Sequence, residues 1–312
     1  MDNGKAGAPS VSRRIFLQGM AGVAAFGVGA SARAVEVAKL GERSIHVISD
    51  GGFQMPLAAV TRGVAPGEVI ALLKAEGLPT DVSNTVLNVT FLKDGEEWTV
   101  LDAGSGGNFL PGSGKLAANL EAAGVDKDKV KRVIFTHAHP DHLWGAIDEF
   151  DSDLFPNASY QISEAEWAFW QSPDIYSKLP EDRHMFAAGA QRILKAIAEK
   201  TTRFKPGQEV APGIVAVDTP GHTPGHCSFA VSSGGKSVLV LGDAITHKAI
   251  SFQHPEWKSG SDTDGEMGAA TRKKLLDQLA TDKLPFIGYH LPSPGLGRAE
   301  KNGGAYRFVA GA

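Results

Sequence analysis

Seven consecutive residues constrain this chain more than anything else in it: Thr136-His137-Ala138-His139-Pro140-Asp141-His142. In an extended segment, side chains two apart project to the same side. His137 and His139 can therefore grip one ion. Pro140 breaks local regularity, and Asp141 with His142 can turn toward a second. Imidazole nitrogen and carboxylate oxygen are ligands of zinc-like ions. A single histidine at a strand end usually packs, but four such side chains within six positions rarely arise by chance. The apolar run at 133–135 just before them reads as a short buried strand. The fold must therefore place a strand end at a metal site.

The rest of the chain supplies strands and helices around that point. Residues 44–49 read as a strand ended by the turn signal Asp50-Gly51-Gly52. Residues 85–92 and 98–101 read as a hairpin turning at Asp94-Gly95. Residues 115–123 read as a helix, with Leu116 and Leu120 on one face and Gly124 as its stop. Helices are predicted over 163–170 and 181–200. The second has Phe186, Ala190, Ile193, Leu194 and Ile197 at helical spacing. Strands follow at 214–217, 228–231 and 237–241, then a helix at 269–279 and a last strand at 284–288. With no repeat and no composition break after residue 35, a single domain over 35–312 is expected.

Residues 1–34 read separately. Ser12-Arg13-Arg14-Ile15-Phe16-Leu17-Gln18 resembles a twin-arginine export signal, and Ala32-Arg33-Ala34 is an A-x-A cleavage pattern. The Gly/Ala-rich stretch between them is shorter than the roughly 20 apolar residues of a membrane span. An N-terminal helix or an uncleaved anchor is the alternative. The signal implies contact with the twin-arginine export machinery, a periplasmic or secreted enzyme, and no stable membrane insertion. Cleavage would remove Lys5, Arg13, Arg14, Arg33 and Asp2, taking the net charge from −4 to −7. That balance argues against nucleic acid as a partner. The one cysteine, Cys227, cannot form an intrachain disulfide.

The H-x-H-x-D-H segment after an apolar strand resembles the metallo-β-lactamase superfamily. Later segments match in order: Thr219-Pro220-Gly221-His222, Leu241-Gly242-Asp243 and Tyr289-His290. The resemblance covers nearly all of residues 35–312. It implies an α+β fold, a four-layer αββα sandwich. It also implies two divalent metal ions, zinc by default, with manganese, iron or cobalt compatible with the same donors. His137, His139 and His222 would hold one ion, and Asp141, His142 and His290 the other. Asp243 would bridge them. A hydroxide shared by two ions about 3.5–4 Å apart would attack an ester-like bond, with Asp141 and Asp243 as the catalytic carboxylates. Residues 289–297 and Tyr306-Arg307-Phe308-Val309 resemble more narrowly the methyl parathion hydrolase group, as do Phe155-Pro156-Asn157-Ala158 and Phe169-Trp170. That favours an organophosphate triester or aryl ester as the small-molecule substrate, with an acyl-homoserine lactone as the alternative. Lactonases of this superfamily usually carry tyrosine three residues after the bridging aspartate, where this chain has Thr246. A β-lactam is a weaker candidate, since no carboxylate-binding residue is evident. Relatives are often homodimers.

Around the ligands, Asp102 is expected to hydrogen-bond a ligand histidine, and a plain turn aspartate is the alternative. His226 is expected to orient its loop without binding metal. Phe109, Trp144 and Trp170 are candidates for an apolar substrate pocket, although aromatic residues at such spacing are more often core. Cys227 reads as a small buried residue. His46, His184, His247 and His254 have no partner pattern, and the sequons at Asn88 and Asn157 carry little weight. A non-catalytic metal-binding protein is the contrasting hypothesis.

Overall fold

A computed structural model describes residues 35–311. The export-signal segment lies outside the described residues. Two seven-stranded sheets dominate. The first contains β1 (Val35–Leu40), β2 (Arg43–Pro56), β3 (Val82–Asp94), β4 (Glu97–Leu101), β5 (Val130–Ile134), β6 (Ser159–Ser163) and β7 (Thr201–Phe204), side by side in chain order. The second contains β8 (Glu209–Ala211), β9 (Ile214–Asp218), β10 (Cys227–Ser233), β11 (Lys236–Val240), β12 (Phe286–Ile287), β13 (Leu296–Asn302) and β14 (Ala305–Ala310), also in chain order. The main helices are α1 (Pro66–Ala75), α2 (Leu116–Ala122), α3 (Pro140–Leu143), α4 (Glu164–Trp170), α5 (Ile175–Lys178), α6 (His184–Ala196), α7 (Ile250–Gln253) and α8 (Gly265–Asp282).

Alternation along the strands explains the layers. Ile45, Val47, Leu92, Leu101 and Ile134 of the first sheet pack against Ile214, Phe229, Val231, Val238, Val240 and Ile287 of the second. Their neighbours point outward. Val89, Phe91, Val100 and Val133 meet Leu116 and Leu120 of α2 and Ala190, Ile193 and Leu194 of α6. Leu239 and Phe286 meet Leu275, Leu276 and Leu279 of α8. Period-2 side chains with apolar residues on both faces require a cover on each side. The result is helix, sheet, sheet, helix, as expected from the resemblance.

Topology then gathers the candidate ligands at one end. β4 and β5 are parallel, and so are β11 and β12. β9 is antiparallel to β10, which is antiparallel to β11, so β9 and β11 run the same way. The loops that follow β4, β5, β9, β11 and β12 therefore leave their sheets at the C-terminal ends of parallel-running strands. Open sheets place their sites at such ends.

Several sequence expectations need correction. The strand expected over 44–49 does not stop at Asp50-Gly51-Gly52. It runs through these residues with a register shift between Ser49 and Gly52. Asp50 is buried and accepts hydrogen bonds from the Ser105 amide (2.8 Å), the Ser105 hydroxyl (2.6 Å) and the Leu116 amide (2.8 Å). A bulge held by these bonds replaces the turn. The strand expected over 284–288 is only Phe286–Ile287, and β1, β6–β8, β13, β14, α1, α3, α5 and α7 were not predicted. Among the described residues no helix is long and apolar enough to cross a membrane.

Candidate metal centre

His137 and His139 follow β5 in extended backbone. His139 itself caps α3 with φ −66° and ψ 158°, and Pro140 fills the first helical position. One helical turn then carries Asp141 and His142, so this half of the motif is helical and not loop. His222 lies after β9, Asp243 after β11 and His290 after β12. All seven converge. Donor atoms lie within 4.8 Å of one another in three groups: His137, His139 and His222; His137, His142 and Asp243; Asp141, His142 and His290. Nδ1 of His139 is 2.8 Å from Nε2 of His222. Oδ2 of Asp243 lies 3.2 Å from Nε2 of His222 and 3.0 Å from Nε2 of His290. Asp243 thus stands between the two sets, where a carboxylate with two oxygens can serve both.

The donor chemistry fits a metal. Nε2 of His137 is buried without a hydrogen-bond partner, and Nε2 of His142 and Oδ1 of Asp243 have no partner but each other, 3.2 Å apart. Orphaned buried polar atoms cost about 1–3 kcal/mol each, and an ion satisfies such atoms together. The protonation states divide between the two sets. Burial and the neighbouring histidines hold His137 and His139 well below the ordinary imidazole range. Burial would do the same to His142, but Asp243, Asp102 and Asp141 override it and hold His142 well above that range. Burial would raise Asp243, yet His290, His142 and His222 keep it well below the usual carboxylate range. Imidazoles held neutral beside an ionised Asp243 make a cation site.

The surroundings orient each ring. Oδ2 of Asp102 lies 2.8 Å from Nδ1 of His142, and the carboxylate also accepts from the Thr136 amide (2.8 Å). Asp102 therefore does what was expected of it. His226 accepts the Asp243 amide on Nε2 (2.9 Å), and its Nδ1 faces Thr219. It orients the bridging loop, also as expected, and burial beside His222 pushes its pKa down to about 3. The backbone there permits only glycine at 242, where φ is +54° and a Cβ would sit 2.6 Å from Nε2 of His226.

Four supports escaped the sequence. Asp262 lies 3.2 Å from Nδ1 of His222 and receives Nη2 of Arg272 (3.1 Å). Tyr289 donates to the Asp141 carbonyl (2.6 Å), and its ring lies 3.9 Å from that of His142. The Val86 carbonyl sits 2.9 Å from Nδ1 of His290. Asn88, which looked like a glycosylation sequon, is buried and donates to the carbonyls of Leu291 (2.7 Å) and Gly288 (3.2 Å). Apart from Tyr289, which stands beside His290 in its motif, nothing in their local sequence distinguishes them, because their partners are distant in the chain.

The expected pocket aromatics divide. Phe109 and Trp144 are half-buried and pack edge to face, 5.8 Å apart. Phe109 also meets Phe53 (5.5 Å) and Phe186 (6.1 Å). Phe53 stands 6.4 Å from His290, and Phe186 stands 5.8 Å from His139. Together they make an apolar wall beside both ligand sets. Trp170 does not belong to it. It is 1% exposed and lies in the core beside His139, because its indole N–H is tied to a buried acid, Glu166. Cys227 is fully buried, as expected.

The metallo-beta-lactamase superfamily description matches residues 84–281. The chain belongs to that superfamily. It is similar to AidC, a dizinc quorum-quenching lactonase solved with its product N-hexanoyl-L-homoserine. Identity is 29% over 90% of this chain and 99% of that one, with a TM-score of 0.85. It is also similar to AbOPH, a hydrolase of the beta-lactamase superfamily, at 26% identity over 89% and 97% with a TM-score of 0.82. It is 32% identical over 159 residues to uncharacterized protein YobT of Bacillus subtilis (strain 168). That match spans 51% of this chain and 62% of YobT, less than two thirds of the relative.

Proposed function

We propose that this protein is a dinuclear metal hydrolase that opens lactones, with N-acyl homoserine lactones as the substrate class. The observation that carries this is the whole-chain likeness to AidC, joined to an apolar wall of Phe53, Phe109, Trp144 and Phe186 beside the donor cluster. His137, His139 and His222 would hold one divalent ion, and Asp141, His142 and His290 the other. Asp243 would join them, and zinc suits the donors. Bound there, the ions would acidify water near neutral pH and offset charge developing on the reacting oxygens.

The protein's own part is orientation and exclusion. Asp102 and Asp262 fix the rings of His142 and His222, and the Val86 carbonyl fixes His290. The aromatic wall would receive an acyl chain and shed the water around it. Phosphotriester or aryl ester hydrolysis is the second reading. The motif at 289–297 and Thr246 in place of the usual tyrosine favour it. Both reactions use the same donor set against a carbonyl carbon or a phosphorus centre. Export by residues 1–34 to the periplasm or beyond, and a homodimeric state, belong to the same proposal.

The test compares kcat/KM of the zinc-loaded protein for an acyl-homoserine lactone, methyl parathion and an aryl ester. A clear lead for the lactone is expected. A lead for methyl parathion would overturn the lactone assignment and put phosphotriesters first. No turnover of any of them by protein holding its metals would sink both.

A further inference from the structure

Glu166 is a fully buried acid on the first turn of α4 that no ligand motif includes. Its carboxylate accepts four hydrogen bonds. Oε1 accepts from the Ala138 amide (2.9 Å) and from the Trp170 indole (2.6 Å). Oε2 accepts from the Thr223 hydroxyl (2.7 Å) and from the Gly225 amide (3.1 Å). Ala138 lies between His137 and His139, and Thr223 directly follows His222. One side chain therefore spans the two loops that carry the three-histidine set. Ser163, the cap of α4, adds a second tie. Its hydroxyl accepts from the Glu166 amide (3.1 Å) and donates to the Gly225 carbonyl (2.6 Å). The loop is pressed against the helix so closely that a Cβ on Gly225 would lie 2.0 Å from the Glu166 nitrogen. Glu166 touches none of the groups behind the other donor set, which are Asp102 and Tyr289 around His142 and Asp141, and Val86 behind His290; the two networks meet at Thr136, whose hydroxyl bonds Asp102 and lies 3.0 Å from Nδ1 of His137.

We infer that Glu166 is a positioning residue for the three-histidine ion alone, holding His137 and His139 at a set separation from His222. The inference rests on the two-metal reading above. A carboxylate suits the place because at least three of its partners, two backbone amides and an indole, can only donate. Glu166→Gln keeps the shape but presents an NH2 to one of those pairs. Turned toward Thr223 and Gly225 it can donate to the hydroxyl, but it meets the Gly225 amide donor to donor. The His222 loop should relax while the other set stays in place. Outer partners of metal ligands are typically worth roughly 10- to 100-fold in metal affinity.

The experiment titrates metal-free full-length protein with zinc against a chromophoric chelator, for wild type, Glu166→Gln and Thr223→Val. Thr223→Val removes one of the same four bonds from the opposite side. Wild type should take two ions. Each variant should take one at wild-type affinity and one more weakly, by about 10- to 100-fold for Glu166→Gln and less for Thr223→Val. With one equivalent of cobalt, the visible spectrum of Glu166→Gln should match that of His222→Ala, which lacks a ligand of the affected set. Equal weakening of both ions, or none in either variant, would overturn the inference and leave Glu166 a packing residue. A wild type that binds a single ion would overturn the two-metal reading before any variant is compared, which separates the two failures.

Discussion

At the residue scale, the centre illustrates how burial and partners divide labour among similar side chains. His226 lies four positions after His222 in a repeated Pro-Gly-His pattern, yet of the two only His222 turns its ring nitrogen to the Asp243 carboxylate. The Asp243 amide occupies the free nitrogen of His226, and that bond commits the ring to orientation instead of ligation. Cys227 next to it is an inert residue. Burial raises its thiol to about 12, far above the roughly 8.5 of a free cysteine. The folded chain thus keeps a proton that the unfolded chain loses. Above about pH 8.5 the unfolded state binds fewer protons, so stability should fall as pH rises toward the folded value, with no such contribution below that range. Cys227→Ser should flatten that part of a stability–pH curve measured by urea unfolding. Alkylation of the native protein at mildly alkaline pH should be slow and should become fast only in denaturant. Rapid native labelling would contradict the burial.

At the element scale, the ligands are held by ties between strands and loops remote in sequence. β3 of the first sheet supplies Asn88, which reaches the loop after β12 of the second. That side chain also accepts from the Ser293 hydroxyl (2.7 Å), and its backbone amide donates to the Tyr289 carbonyl (3.0 Å). Two layers are joined there on either side of His290. Asn88→Ala would leave buried carbonyls of Gly288 and Leu291 without their donor. Unmade buried bonds of this kind cost about 1–3 kcal/mol, so the urea midpoint should drop accordingly. An unchanged midpoint would mean that the loop repacks without Asn88. The strand patterns in this region were partly legible. The strand over 85–92 was visible, but the role of Asn88 was not, since a buried amide and an exposed sequon look alike in sequence.

At the scale of the whole molecule, two sheets and two helical layers bring five separate loops to one end. The cost of that convergence is a cluster of buried imidazoles and carboxylates with orphaned nitrogen and oxygen atoms. An ion that binds only the folded state adds about 2.7 kcal/mol of stability at a free concentration 100 times its Kd. Removing metal with a strong chelator should therefore lower the Tm by several degrees, reversibly on adding zinc, and the shift should depend on zinc concentration. A Tm insensitive to both would remove the metal from this centre.

The sequence by itself determined what lies within a few residues of each motif. Periodicity marked the central strands and the helices α2, α4, α6 and α8, and His137, His139, Asp141 and His142 announced a metal through spacing alone. The ordered match of His222, Asp243 and His290 to a known superfamily extended that to seven donors. What only the tertiary structure decided were the contacts between segments far apart in the chain. The edge strands β8 and β14, and β13 paired to β14, take their form from their neighbours and carry weak patterns of their own. The fates of Trp170, drawn into the core by Glu166, and of Asp50, bent into a bulge by Ser105 and Leu116, depend on partners brought near by folding. Spacing along the chain encodes which atoms can meet locally. Buried hydrogen bonds between distant loops are chosen by the packing of the sheets, and they set where each ligand points.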